Sequence, residues 1–349
     1  MATLRPLLRR PITIALLIAA VFGLFAAASA DAHVRWFVGS VATVDTFEPY
    51  QITDFEVLAW IAAAVGLISA SVFLDMRLPE VRIVDTKTRH DFIEILRVFT
   101  GMSMMLTAYE GAVIAPHLVA FDGFGTVLLF LQAVIGILLI ANRFVRHAAI
   151  LMIILHLGLA VKFGILAAAE YLIMVAIAVF LLINNLPTEE LRNRFKPYSV
   201  DLLRIITGIS LITLGFSEKL FGAMMAEHFL VLYPWNFMAT LGLDFFTDRL
   251  FVLSAGVMEV VFGIILVLGT TTRLNVLAFS VVLFASNVLF LIDGNNEAAM
   301  VEFIGHMPVI GVALILLLLG AGQRLKITNF LPDRNVNTSV RTVTVPDDA

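Results

Sequence analysis

Nine apolar stretches of about 20 residues recur along this chain, at 55–74, 93–115, 124–142, 148–167, 170–185, 201–222, 249–269, 274–292 and 302–320. Each is long enough to cross a hydrocarbon core as an α-helix, the one open-ended element that satisfies all of its backbone hydrogen bonds internally. Together they consume most of the 349 residues, and the chain is 60% hydrophobic and only 14% charged. That leaves no length for a sizeable soluble domain and excludes a cytosolic enzyme. Cysteine is absent, so disulfides, thiol exchange and thiolate metal sites are excluded as well. The near-balanced charge of -4 gives no sign of a nucleic-acid partner.

Before these spans, Arg5, Arg9 and Arg10 precede an apolar run from Ile12 to Ala28, followed by Ala28-Ser29-Ala30-Asp31-Ala32 with its small-x-small spacing. The layout predicts a signal peptide over 1–32, or an anchor helix if it is not cut. Cleavage after Ala32 would expose His33 as an N-terminal residue whose amine and imidazole can chelate copper; no other metal site is expected. If the N-terminus starts inside, interior loops collect 17 of the 23 Lys and Arg, which sets the C-terminus in the cytoplasm of a bacterial inner (plasma) membrane protein. The polar tail from Asn335 to Ala349 reads as disordered.

The second strong feature is a repeat. Glu94-Ile-Leu-Arg97-Val-Phe-Thr100-Gly101-Met-Ser103 is answered 107 residues later by Asp201-Leu-Leu-Arg204-Ile-Ile-Thr207-Gly208-Ile-Ser210. Further on, Gln132 and Gly136 are answered by Glu259 and Gly263, Arg146 by Arg273, and Glu170 by Glu302. Each unit holds four helices, an even number, so the two copies run parallel. The fold class is therefore all-α and polytopic: about nine transmembrane helices plus the signal or anchor helix, with two parallel four-helix repeats. Its divisions are 1–32, then 33–92 with an outer segment, an extra helix and an inner loop, then the first unit at 93–186, the second at 201–320, and the tail at 321–349. The loop from Ala223 to Asp248 is long in the second unit and rich in aromatics, which predicts a lid lying on or dipping into the outer leaflet.

Three motifs of the second unit, Leu203-Arg204-Ile-Ile-Thr-Gly208, Phe216-Ser217-Glu218-Lys219-Leu220 and Glu259-Val-Val-Phe-Gly263 running to Leu268-Gly269-Thr-Thr-Thr-Arg273, resemble those of the DoxX/DoxD family of small four-helix membrane proteins. The resemblance covers Asp201 to Gly320, with a fainter copy over Glu94 to Ile183. It implies a four-helix bundle associated with oxidoreductase systems, some relatives being subunits of thiosulfate:quinone oxidoreductases. It carries over no catalytic residue. Relatives that pass electrons through cysteine pairs have no counterpart in this chain.

A charge at mid-membrane costs roughly 2.5–3.5 kcal/mol on insertion scales, so each ionisable residue inside a span needs a partner or a task. Glu218 and Lys219 fall near the outer surface, Glu170 and Glu302 open helices at that face, Asn287 and Lys162 lie in outer halves, and Glu259, Gln132 and His156 lie nearer the middle. Glu302 and His306 are four apart and share a helical face. Glu259, Asn287, Glu302 and His306, with Glu218 and Lys219 nearby, are thus the predicted lining of an outward-facing polar pocket. There a histidine and carboxylates can exchange protons with a quinone headgroup. The same residues also fit structural roles: Glu218-Lys219 as an interface pair, Glu302 as a helix cap, Asn287 as an interhelical hydrogen bond. Arg97 and Arg204, near inner helix ends, read as snorkelling to headgroups. A di-iron site is excluded by the single Glu-x-x-x-His spacing, and bis-histidine haem by the unequal depths of His156 and His306.

The functional expectation is a redox-associated membrane subunit binding quinone or another lipid-soluble molecule, at most a subunit of a quinone-linked oxidoreductase, with membrane lipid and a redox protein as partners. The competing readings are a small-solute or ion transporter, with Pro308 as its main helix interruption, and a non-catalytic assembly factor.

Overall fold

The computed structural model of the chain describes residues 36–37, 48–79, 81–83, 86–330 and 341–343. The signal or anchor segment 1–32 and His33 lie outside the described residues. Thirteen α-helices carry most of the described chain. They are α1 (Phe55–Asp75), α2 (Thr86–Tyr109), α3 (Gly123–Ile140), α4 (Val145–Phe163), α5 (Ile165–Glu170), α6 (Leu172–Asn184) and α7 (Glu189–Phe195). There follow α8 (Ser199–Leu214), α9 (Ala223–Leu232), α10 (Phe237–Thr240), α11 (Asp248–Leu268), α12 (Thr272–Ile292) and α13 (Asn296–Leu319). Two three-residue strands, β1 (Val81–Ile83) and β2 (Arg341–Val343), pair in parallel. Of the tail expected to be disordered from Asn335 onward, only 341–343 is among the described residues, and its backbone pairs with β1 in the register Val81 to Arg341.

Among the described residues, eight helical stretches are long and apolar enough to cross a membrane. The expected ninth span, 170–185, corresponds to α6, whose 13 residues fall short of a bilayer by themselves. The shortening has a local cause: Gly164 adopts φ +94° and breaks the helix after Phe163, and the chain restarts twice, as α5 and α6. Elsewhere the boundaries follow capping chemistry. The side chains of Asp122, Thr247 and Asn295 accept hydrogen bonds from the backbone N–H three residues on, starting α3, α11 and α13. Gly269 at φ +76° ends α11 in the left-handed conformation that glycine takes without penalty.

Eight helices close into a ring in the order α2, α3, α4, α6, α8, α11, α12, α13 and back to α2, with α1 outside against α11. One end, here the distal end, carries Asp122, Asp248 and Asn295; the proximal end carries Asp75, Asp201 and Thr271. Where α2 crosses α3, Gly101 and Gly136 face each other so closely that a Cβ on Gly101 would stand 3.0 Å from the carbonyl oxygen of Gly136. Where α8 crosses α11, Gly208 and Gly263 do the same at 2.7 Å. Backbone against backbone at these crossings gains dispersion contacts that larger residues would forbid.

The two arginines do not snorkel. Arg204 is fully buried and donates to Ala321 O (2.9 Å), Val267 O (2.9 Å) and Leu325 O (3.0 Å), and also to Leu266 O. Its partner Asp201, equally buried, accepts from the backbone N–H groups of Gln323, Arg324 and Leu325 at 3.0–3.2 Å. Arg97 is likewise buried, donating to Ile140 O at 3.1 Å and to Glu94. The physical reason is the supply of carbonyls at the C-termini of α3 and α11 and in the segment after α13, which a forked guanidinium satisfies better than headgroup water does. At the same end Asp75 receives Lys326 (2.8 Å), Thr328 Oγ1 (3.2 Å) and the Thr271 N–H (3.0 Å), so the segment after α13 is fastened across the proximal face.

Candidate functional site

The polar residues expected around one pocket separate into three groups. On α8 the helix passes at Gly215 into a π-turn that runs to Leu220 and carries Glu218 and Lys219. Such wider turns recur at functional sites because they re-aim side chains out of the α register. The Lys219 ammonium bridges two carboxylates, Glu259 Oε1 on α11 at 2.8 Å and Glu218 Oε2 at 3.2 Å. Glu218 is fully buried, while Lys219 and Glu259 are each slightly exposed. One cation between two anions is therefore held in the protein interior, where desolvation makes removal of any single member expensive.

The second group is Glu302 and His306. Helix α13 begins at Asn296, so Glu302 does not open it; Asn295 is its cap, and Glu302 stands in the second turn. The polar Asn296 and Glu297 concealed this start from a hydropathy reading. His306 consequently lies ten residues inside the helix rather than four. Its Nδ1 is 3.4 Å from Glu302 Oε1, and both side chains are buried. The third group is Asn287 alone: its Nδ2 donates to Ala299 O at 3.1 Å, tying α12 to α13, and it takes no part in the cavities. His156 and Lys162 sit on α4 and line neither of the cavities, with Lys162 donating to Asp122.

Two cavities meet at His306. The larger, of about 100 Å³, lies among α8, α11, α12 and α13. Its wall is mostly Leu, Val and Phe, interrupted by Glu259, His306, Thr207, Ser210 and Asn275. The smaller, of about 50 Å³, is lined by Ser103, Glu170, Tyr171, Trp36 and His306 among others. Its surface is mostly apolar, but these polar groups border it and it is wide enough for one or two waters. Glu170, expected to open a helix at the surface, instead closes α5 and is buried against this cavity. The reason is again the break at Gly164, which turns 165–170 inward as a separate helix. Ser210, conspicuous in the sequence only as part of the repeated motif, donates to the Glu170 carbonyl and lines the larger cavity.

Above His306 the distal end is closed by aromatic packing. Trp36 lies 5.5 Å from the His306 ring and donates from Nε1 to Tyr171 Oη at 3.2 Å. It rests on Gly305, where a Cβ would come within 2.1 Å of the indole. Phe37, Phe229, Tyr233, Trp235 and Phe290 continue the cluster, Trp235 and Phe290 being closest at 4.2 Å. The long aromatic loop is thus largely helical, as α9 and α10, and packs its rings on Phe290 of α12. Trp36 precedes the apolar spans and carried no signal that it would reach His306.

At the position answering Glu259, Gln132 of α3 has a different setting. Its Oε1 accepts from Ile114 N (2.8 Å), and its Nε2 donates to Thr107 Oγ1 (2.8 Å), Met104 O (3.1 Å) and Ala112 O (3.2 Å). Every polar atom is spent on sealing the loop after α2. Glu259, by contrast, presents a carboxylate that touches Lys219 through one oxygen and borders the cavity. The arrangement offers an acceptor from α11 and an imidazole from α13 at the boundary of an apolar space. Among the described residues no cluster of three His, Asp or Glu suits a metal ion.

A scan against protein-family models gives no match, and no curated protein or solved structure matches the chain either.

Proposed function

We propose that the chain is a polytopic membrane protein of the DoxX-like type, built from two parallel four-helix repeats, that holds the polar end of a lipid-soluble molecule of the quinone class between Glu259 and His306. The repeat reading is supported by the recurrence of one design: a Gly–Gly crossing (Gly101–Gly136, Gly208–Gly263) and an arginine on the carbonyls of the helix crossed (Arg97 on Ile140, Arg204 on Leu266 and Val267). In this reading the molecule sits in a bacterial inner membrane with its C-terminus inside, and α9 and α10 lie at the outer interface. Exposed Val231, Leu232, Phe237, Leu241 and Phe245 suit that position.

The single observation that carries the functional reading is that Glu259 and His306, from different helices, border the same mostly apolar cavity. An imidazole N–H donates to a quinone carbonyl, and the neighbouring carboxylates accept protons when a quinol is oxidised. The donor set fits such a headgroup. The volume fits less than a whole ring, since about 150 Å³ is needed for benzene, so occupancy requires neighbouring helices to part. Electrons must come from or go to a redox protein partner, because the chain offers no thiol.

Organic extraction of protein purified in mild detergent tests the proposal. Approximately stoichiometric quinone is expected, falling sharply in His306→Phe and Glu259→Leu. Wild-type protein with no extractable quinone, or variants that retain it, would overturn it.

A further inference from the structure

We infer that the slot between α11 and α12 is a binding site for a single hydrocarbon chain, isoprenoid or acyl, entered sideways from the bilayer, with the polar end of the chain-bearing molecule at Glu259 and His306. The inference rests on the cavity named above and specifies what occupies its apolar length.

Four observations lead to it. The cavity is elongated along the helices: on α13 it runs from His306 to Leu316, and on α12 from Asn275 to Leu283, which at 1.5 Å per residue is roughly 12–15 Å. Below Glu259 and His306 the wall is mostly hydrocarbon, with Phe262, Val276, Phe279, Val312 and Leu316 along it and Thr207 and Asn275 as the polar exceptions, so little along the shaft would hold water. At its distal end stands His306, which is covered in turn by Trp36 resting on Gly305. Finally, α11 and α12 are the least closely packed neighbours in the ring. They are held together near the proximal end by the short Gly269–Thr271 connection and the bond from Asn275 Nδ2 to Phe262 O (3.0 Å). An edge-to-face aromatic pair, Phe262 and Phe279 at 5.6 Å, also spans the gap. Edge-to-face rings slide apart at modest cost. Neighbouring Leu277, Val281 and Phe284 are exposed on the outer surface of α12, so the slot opens where lipid would lie.

The test is photolabelling in phosphatidylcholine vesicles, with two separate probes: a phospholipid carrying a mid-chain diazirine, and a farnesyl quinone carrying the same group. Adducts are located by mass spectrometry. Surface residues Leu277 and Phe284 serve as the bilayer reference. Adducts on Val276, Val312 and Leu316, which are at most 5% exposed and out of reach of surrounding lipid, are expected from at least one probe. The Ala313→Trp variant, which fills the shaft, should lose them at least tenfold while keeping the reference adducts. Because the chain has no cysteine, Phe262→Cys/Phe279→Cys bridged by a bifunctional thiosulfonate should block the same adducts, and reductant should restore them, showing that the fold survived. Labelling by the phospholipid alone supports the slot while counting against quinone as its ligand; labelling by the quinone probe supports both. Adducts confined to Leu277 and Phe284 with both probes, or interior adducts unaffected by the bridge, overturn the inference.

Discussion

A guanidinium at position 204 reaches four carbonyls because its planar fork projects between the C-terminal end of α11, which supplies Leu266 O and Val267 O, and the segment after α13, which supplies Ala321 O and Leu325 O. Removing it strands Asp201 and those carbonyls inside the protein. Arg204→Ala is therefore expected to lose about 3–5 kcal/mol of stability. Arg204→Lys, a point charge without the fork, should recover less than half of that, as judged by thermal unfolding in detergent; full rescue by lysine would contradict the clamp. The glycine crossings act through shape alone. Gly208→Leu should cost about 1–3 kcal/mol, since the Gly263 backbone cannot yield, whereas Gly66→Leu, with open space around it, should leave the unfolding temperature unchanged. The glycines and their spacing were legible in the sequence. The burial of Arg204 was not, because hydropathy counts a charge near a helix end without knowing which carbonyls stand opposite it.

The π-turn of α8 sets the Lys219 bridge, and its energetics are tested by a double-mutant cycle. Lys219→Met leaves two facing carboxylates and should destabilise more than Lys219→Met combined with Glu259→Gln, the residue found at the answering position on α3. Additive effects would show that the pair is uncoupled. At the start of α3, the Lys162 ammonium and the Gly125 N–H hold the Asp122 carboxyl below its ordinary value of 3.8. A carboxyl more acidic in the folded than in the unfolded chain stabilises the fold above its unfolded value, and this contribution is lost as pH falls through the lower folded one. Asp122→Asn should therefore flatten the dependence of unfolding temperature on pH below about pH 5, modestly, because the site is exposed. Equal slopes in variant and wild type would refute this. Helix existence was readable from apolar runs, but ends were not. Asn296 and Glu297 hid the first turns of α13, and Gly164 gave no warning that it would separate α4 from a short inward helix bearing Glu170.

At the scale of the whole molecule, the ring is closed by two contacts between its halves, α6 on α8 and α13 on α2, the latter with Gly311 set against Leu96. Split between Glu190 and Leu191 and co-expressed, the halves should co-purify, and neither alone should survive extraction; two separately stable fragments would argue against a closed ring. The sequence repeat made the pairing of helices within a half readable, because Gly101 and Gly136 lie on consecutive helices. Closure between halves carried no comparable signature, and neither did the arrival of Trp36 over His306. The central claim is that this ring keeps Glu259 and His306 at the edge of an apolar space in order to hold a quinone-like headgroup. Its most direct test is titration of a short-chain quinone into the protein in lipid nanodiscs. The account predicts saturable binding that weakens at least tenfold in Glu259→Gln/His306→Phe and is unchanged in Asn287→Ala, whose side chain lies outside the cavities. Absence of saturable binding, or equal binding by all three proteins, would contradict it.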